Sequence, residues 1–158
     1  MKRIILGTSP DETQEIAQKI GGELRVGEIV VLISDLGGGK TTFVQGLTEG
    51  AGSKDDVSSP TFTISQVYNA RKLQIHHYDL YRLGSQIGIM MNEIQDVISD
   101  PKNVCAIEWP EGVMNELGHE KVVRIELRMH KNSETDREIV LSYPERLDYL
   151  FTTLEDKK

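Results

Sequence analysis

IVVLISDLGGGKTTFV, residues 29–44, decides how this chain is read. The β-branched apolar run Ile29, Val30, Val31, Leu32 and Ile33 stops at a glycine-rich turn, and Lys40, Thr41 and Thr42 open a helix-like stretch directly behind it. Strand, phosphate loop and helix N-terminus follow in that order. A triphosphate must be wrapped by backbone N–H groups, and Gly37, Gly38 and Gly39 let the backbone approach because they carry no side chain. Asp35 and Leu36 complete the loop. In this register the Lys40 ammonium reaches the β- and γ-phosphates and the Thr41 hydroxyl ligates Mg²⁺. Thr42 meets a further phosphate oxygen, and the positive end of the helix dipole faces the anion. Counting back from Gly39 in the pattern GxxxxGK[ST] places Ser34 where the first glycine belongs. A plain glycine-rich turn does not require a lysine and two threonines in register behind it.

Mg²⁺ at a phosphate loop takes one more acidic ligand, commonly at the carboxyl end of a neighbouring strand. Two positions qualify. In KLQIHHYD, residues 72–79, Leu73, Ile75, His77 and Asp79 share one face by the two-residue period, so this strand ends in a carboxylate on its apolar side. Val104, Cys105, Ala106 and Ile107 form a continuous apolar run, the pattern of a strand buried on both faces, and Glu108 and Trp109 follow at once. The more apolar strand assigns Glu108 to the metal, directly or through a water, and leaves Asp79 to orient an attacking water. The plain alternative is a pair of solvated carboxylates at strand ends.

The 158 residues fit one α/β domain spanning 1–158. A net charge of −7 disfavours strong direct binding to RNA or DNA and favours a protein partner or a small phosphorylated ligand. The single cysteine, Cys105, has no intrachain disulfide partner and suits a reducing cytoplasm. After Lys2 and Arg3 only Ile4, Ile5 and Leu6 precede Gly7, too short for a signal-peptide core, and no apolar run approaches membrane-spanning length.

Taken in order, the chain predicts a strand over 3–6 and then a helix opened by Ser9, Pro10 and Glu12 in a capping-box pattern and stopped by Gly21 and Gly22. The helix behind the phosphate loop packs through Phe43, Val44 and Leu47 and ends near Gly50 and Gly52. A β-rich run over 61–68 turns at 69–72 into the strand that ends at Asp79. A polar loop over 84–88 precedes a helix over 93–98. Val123, Ile125, Leu127 and Met129 alternate with polar residues, and the turn KNSETD leads to Ile139, Leu141 and Tyr143, which reads as an antiparallel hairpin. Leu147, Leu150, Phe151 and Leu154 predict a short C-terminal helix.

The remaining polar groups are more ambiguous. Thr61 and Thr63 sit where a hydroxyl can sense a γ-phosphate, or are strand formers behind Pro60. His76 and His77 point to opposite faces of a strand, and His119 and His130 lack ligand-like neighbours, so the histidines read as solvated or locally hydrogen-bonded rather than zinc-binding. Trp109 borders a nucleotide or a partner, or simply packs. Arg124, Arg128 and Lys131 read as one solvated hairpin face.

Several blocks together are specific where each alone is not: SPDET at 9–13, SDLGGGKTTFVQGL at 34–47, VSSPTFT at 57–63, HYDLYRL at 77–83 and AIEWPE at 106–111. In this order and spacing they resemble the TsaE (YjeE-like) family of bacterial ATPases required for threonylcarbamoyladenosine in tRNA. The resemblance runs from the N-terminus to Glu111, about two thirds of the chain. It implies a P-loop NTPase-type α/β/α sandwich with a mixed, mostly parallel central sheet and an antiparallel C-terminal hairpin. It implies ATP hydrolysis with Mg²⁺ held by Thr41 and Glu108, and Lys40 and Asp79 as catalytic groups. Ser9 and Thr13 join the loop as nucleotide-binding residues, and Ser59, Thr61, Tyr81, Arg82 and Trp109 form nucleotide-responsive segments. The implied partners are the threonylcarbamoyl-transferase subunit (TsaD-like) and its inactive paralogue (TsaB-like), acting on tRNAs that read ANN codons, with tRNA contacted through the complex. Two departures from the family pattern are Ser34 for glycine and GSQIGIMMN where glutamates are usual after Leu83.

Two other readings share the loop. A small-molecule kinase needs an arginine-rich lid and an acceptor pocket, and neither is evident. A nucleotide-binding module without hydrolysis has only Ser34 in its favour. A GTPase lacks its guanine signature, since no NKxD-type stretch is present.

Overall fold

The computed structural model describes residues 1–25, 27–35 and 37–155. Seven strands form one sheet: β1 (Lys2–Gly7), β2 (Ile29–Ile33), β3 (Ser65–Asn69), β4 (Gln74–Asp79), β5 (Asn103–Glu108), β6 (Val122–Met129) and β7 (Arg137–Ser142). Their order is β1-β7-β6-β2-β5-β4-β3. The strands β6, β2, β5 and β4 pair in parallel, whereas β7 runs antiparallel to β1 and β6, and β3 antiparallel to β4. Five strands therefore point one way and two the other, the mixed, mostly parallel sheet that the sequence implied.

Helices cover both faces, as they must when the central strands carry apolar residues on each side. Helices α1 (Pro10–Glu23) and α2 (Lys40–Gly50) pack with Val30, Leu32, Val104 and Ala106 on one face. Helix α3 (Ile87–Ser99) packs with Ile29, Val31, Cys105 and Ile107 on the other. The alternation along β2 and β5 divides the core into these two halves. Among the described residues no helix is long and apolar enough to cross a membrane.

Four expectations are corrected. Helix α1 does not stop at Gly21 and Gly22 but runs through both to Glu23. Gly21 is there because α2 lies against it: a Cβ on Gly21 would fall 2.1 Å from Leu47 O. Gly46 and Gly50 meet α1 in the same way, with Gln14 O and Gln18 O in the space a Cβ would take. Residues 61–64 are a turn rather than strand; Ile64 closes it with N–H donating to Pro60 O, and β3 starts at Ser65. The helix predicted over 93–98 starts at Ile87, behind a 3₁₀ turn at Gly84–Gln86, because Met91 and Ile94 bury the same stripe that continues to Val97 and Ile98. The C-terminal helix is a 3₁₀ helix, Glu145–Phe151. Ser9 caps α1 as expected, accepting from Glu12 N–H at 3.1 Å.

Gly21→Ala should destabilise the fold by about 1–3 kcal/mol through overpacking of α1 on α2. Gly22→Ala, whose Cβ would meet Gly50 O at an ordinary 3.6 Å, should be neutral or stabilise by about 0.5–1 kcal/mol through helix propensity. Urea unfolding of the two variants checks both, and equal destabilisation would contradict the close-approach explanation.

Candidate nucleotide site

The parallel register assembles the site. Leu32 of β2 pairs with Glu108 of β5, and Glu108 pairs with Asp79 of β4, so both carboxylates and the end of the phosphate-loop strand stand in one row at the carboxyl edge of the sheet. Between β2 and α2 the loop turns through two left-handed glycines, Gly37 at φ 74° and Gly39 at φ 95°. Gly38 is required for space, since its Cβ would fall 2.4 Å from Ser34 Oγ. Gly39 caps α2 with no side-chain hydrogen bond, which leaves the first N–H groups of the helix to an anion.

A cleft of about 310 Å³ lies over this helix end, lined by Gly37, Gly38, Gly39, Lys40, Thr41, Thr42, Ser59, Thr61, Asp79, Glu108 and Trp109. Lys40 is buried. Its ammonium donates to Ser34 Oγ at 2.9 Å, Asp35 O at 3.3 Å and Ser34 O at 3.4 Å, and lies 4.3 Å from the centre of the Trp109 ring. Burial pulls the Lys40 pKa below its ordinary value, against the attraction of Glu108, Asp79, Asp35 and Glu111. Asp79 is fixed at three points: its N–H donates to Ile64 O, its Oδ2 accepts from Thr61 Oγ1 at 2.9 Å, and its Oδ1 accepts from Tyr81 N–H at 3.0 Å. Glu108, 2% exposed, accepts from His77 Nε2 at Oε1, 2.8 Å away. Its Oε2 has no hydrogen bond among the described residues.

This donor set suits Mg²⁺ at a phosphate site, where one or two carboxylates and a hydroxyl leave the other positions to phosphate oxygens and water. Thr41 and Glu108 line the same cleft.

The candidate residues from the sequence largely converge. Asp35, Gly37, Gly38, Gly39, Lys40, Thr41, Thr42, Ser59, Thr61, Asp79, Glu108 and Trp109 belong to the loop or the cleft wall, while Leu36 lies outside the described residues. Tyr81 packs against Trp109 with ring centres 4.8 Å apart and ring planes tilted by 44°. Arg82 sits over the exposed Phe62 ring at 5.0 Å, away from the cleft wall. Ser9 and Thr13 are not brought to the wall: Ser9 caps α1, and Thr13 is buried beside Gly7.

Two residues were underrated. His77 is fully buried and bonded on both sides, which its place between Ile75 and Asp79 on an apolar strand face foreshadows. Arg137, at the start of β7, donates from Nε to Gly38 O at 3.2 Å and ties the hairpin to the phosphate loop. No sequence spacing announces that contact, which joins residues 99 positions apart. A larger cavity, about 480 Å³ and bordered by Gly21, Arg25, Gly52 and Arg71, lies at the far ends of α1 and α2 and contains none of these groups.

The family model described as Threonylcarbamoyl adenosine biosynthesis protein TsaE matches residues 7–139. The chain belongs to the TsaE family. Among curated relatives it is 34% identical over 138 residues to the tRNA threonylcarbamoyladenosine biosynthesis protein TsaE of Bacillus subtilis, covering 85% of this chain and 81% of that one. It is 38% identical over 134 residues to the protein of the same name from Treponema pallidum, with 85% and 96% covered. Its fold matches the crystal structure of Bacillus subtilis YdiB with a TM-score of 0.73 at 28% identity, over 95% of this chain and 91% of that one. The phosphate-loop site described above lies entirely within the matched residues 7–139.

The Ser34 hydroxyl holds an ammonium for which phosphate oxygens would compete. Ser34→Ala should therefore tighten ATP binding by about fivefold, a net hydrogen-bond effect of about 1 kcal/mol. Fluorescence of the sole tryptophan, Trp109, titrated with ATP measures it; weaker binding would show that the hydroxyl assists instead.

Proposed function

We propose that the chain is the ATP-hydrolysing subunit of the machinery that forms threonylcarbamoyladenosine in tRNAs reading ANN codons. In this reading it works with a threonylcarbamoyl-transferase subunit and that subunit's inactive paralogue, and does not itself transfer the group. One observation carries the ATPase reading: Lys40, Thr41, Asp79 and Glu108 face a single cleft over an uncapped helix N-terminus. Membership of the TsaE family supplies the pathway.

In this assignment the loop N–H groups and the α2 dipole bind the phosphates, and Lys40 neutralises the charge that grows on them during transfer. Thr41 and Glu108 would hold Mg²⁺, which would supply neutralisation of the phosphate charge. Asp79, braced by Thr61 and the Tyr81 N–H, keeps an acceptor oxygen oriented toward the attacking water. Trp109, with Tyr81 packed against it, borders one side of the cleft and limits access of bulk water there.

The test is ATP turnover by the purified chain, alone and with the transferase pair and tRNA. Turnover should rise with the partners and fall by about 100-fold or more in Lys40→Ala and in Glu108→Ala. Binding of ATP with no turnover in any mixture would favour a binding module, and phosphate transfer to a metabolite would favour a kinase.

A further inference from the structure

Tyr68, His77 and Glu108 lie on the adjacent strands β3, β4 and β5, and the three side chains meet on the sheet face that carries α1 and α2. His77 places Nε2 2.8 Å from Glu108 Oε1 and Nδ1 3.1 Å from the Tyr68 hydroxyl. In the tautomer with its proton on Nε2, His77 donates to Glu108 and accepts at Nδ1 from the Tyr68 hydroxyl.

The Tyr68 hydroxyl has one proton and two further acceptors within reach, Gln66 Oε1 at 3.0 Å and Ser58 O at 3.2 Å. Gln66 in turn donates from Nε2 to Ser58 Oγ at 3.1 Å. Ser58 begins the short segment that next supplies Ser59 and Thr61 to the cleft, and Thr61 donates to Asp79. Residues 58–61 are thus connected to both strand-end carboxylates, to Asp79 directly and to Glu108 through Tyr68 and His77. The far side of the same turn is strained, with the β-branched Ile64 at φ 69°, a conformation that costs about 1–3 kcal/mol and persists only where its surroundings impose it.

We propose that Tyr68 and His77 are positioning residues through which the placement of residues 58–61 sets the orientation of Glu108. The inference rests on the reading of Glu108 as a metal ligand. With the Tyr68 hydroxyl bonded to Nδ1, the imidazole is fixed at both nitrogens and Glu108 Oε1 is held, which leaves Oε2 for the cleft that Glu108 lines. With that hydroxyl turned to Ser58 O, His77 loses the bond that fixes its ring and holds Glu108 Oε1 less firmly. A shift of residues 58–61 therefore alters the metal site without any of them touching the metal.

The experiment measures Mn²⁺ affinity by electron paramagnetic resonance in the presence of ADP, using the full chain. Tyr68→Phe keeps the buried ring and removes the hydroxyl that His77 and Ser58 share; His77→Gln and Glu108→Gln accompany it. Tyr68→Phe should weaken Mn²⁺ binding by about tenfold, the lower end of what outer-shell partners contribute. ADP affinity without divalent cation, read from Trp109 fluorescence, should stay within about twofold of the parent. A lowered melting temperature with unchanged Mn²⁺ affinity in Tyr68→Phe would reduce the contact to a structural one and overturn the inference, even if His77→Gln fails to fold. If Glu108→Gln weakens Mn²⁺ binding and Tyr68→Phe does not, the inference alone falls. If Glu108→Gln leaves Mn²⁺ binding unchanged, the metal-ligand reading falls and takes the inference with it.

Discussion

The parallel pairing of β2, β5 and β4 is the constraint on which the site depends. Backbone hydrogen bonds set the register, and a slip of one residue would turn every side chain to the other face. Because Leu32, Glu108 and Asp79 occupy one row, the phosphate loop and two carboxylates from distant parts of the sequence open on the same edge. Apolar burial on both faces makes that register costly to change: Val30, Val31, Val104, Ala106 and Ile107 are at most 1% exposed.

The second constraint is the closeness of α1 and α2. Gly21, Gly46 and Gly50 remove side chains where the two backbones meet, so α2 is held on α1 by main-chain contact as well as by Ala17, Phe43, Val44 and Leu47. Outside the apolar seam, Gln14 and Gln18 both donate to Glu49 Oε2 and hold its carboxyl below the usual range. A helix fixed in this way presents its uncapped N-terminus at a constant position, which is what an anion site built from backbone N–H groups needs.

Most of the polar groups buried beneath the cleft bond to one another. His77 serves Glu108 and Tyr68, Thr61 serves Asp79, and Lys40 draws on Ser34 and Asp35. In a low-dielectric setting each such bond is strong and each missing partner is costly. Burial also raises the pKa of the Tyr68 hydroxyl.

Local pattern was enough for much of this molecule. The apolar run 29–33, the glycines and the Lys-Thr-Thr sequence determined strand, loop and helix, because each depends on residues adjacent in the chain. The two-residue period put Asp79 on an apolar face, and the run 104–107 marked β5 as buried on both sides. Gly21 misled because a glycine breaks a helix when judged locally but permits a close approach when another helix arrives. Residues 61–64 misled because β-branched side chains favour a strand only where a partner strand continues beside them. What only tertiary structure decided was which distant groups meet: the insertion of β6 beside β2, the reach of Arg137 to Gly38 and the chain from Tyr68 through His77 to Glu108. Those contacts follow from strand order and register, and strand order is set by the packing of whole elements rather than by the spacing of residues within any one of them.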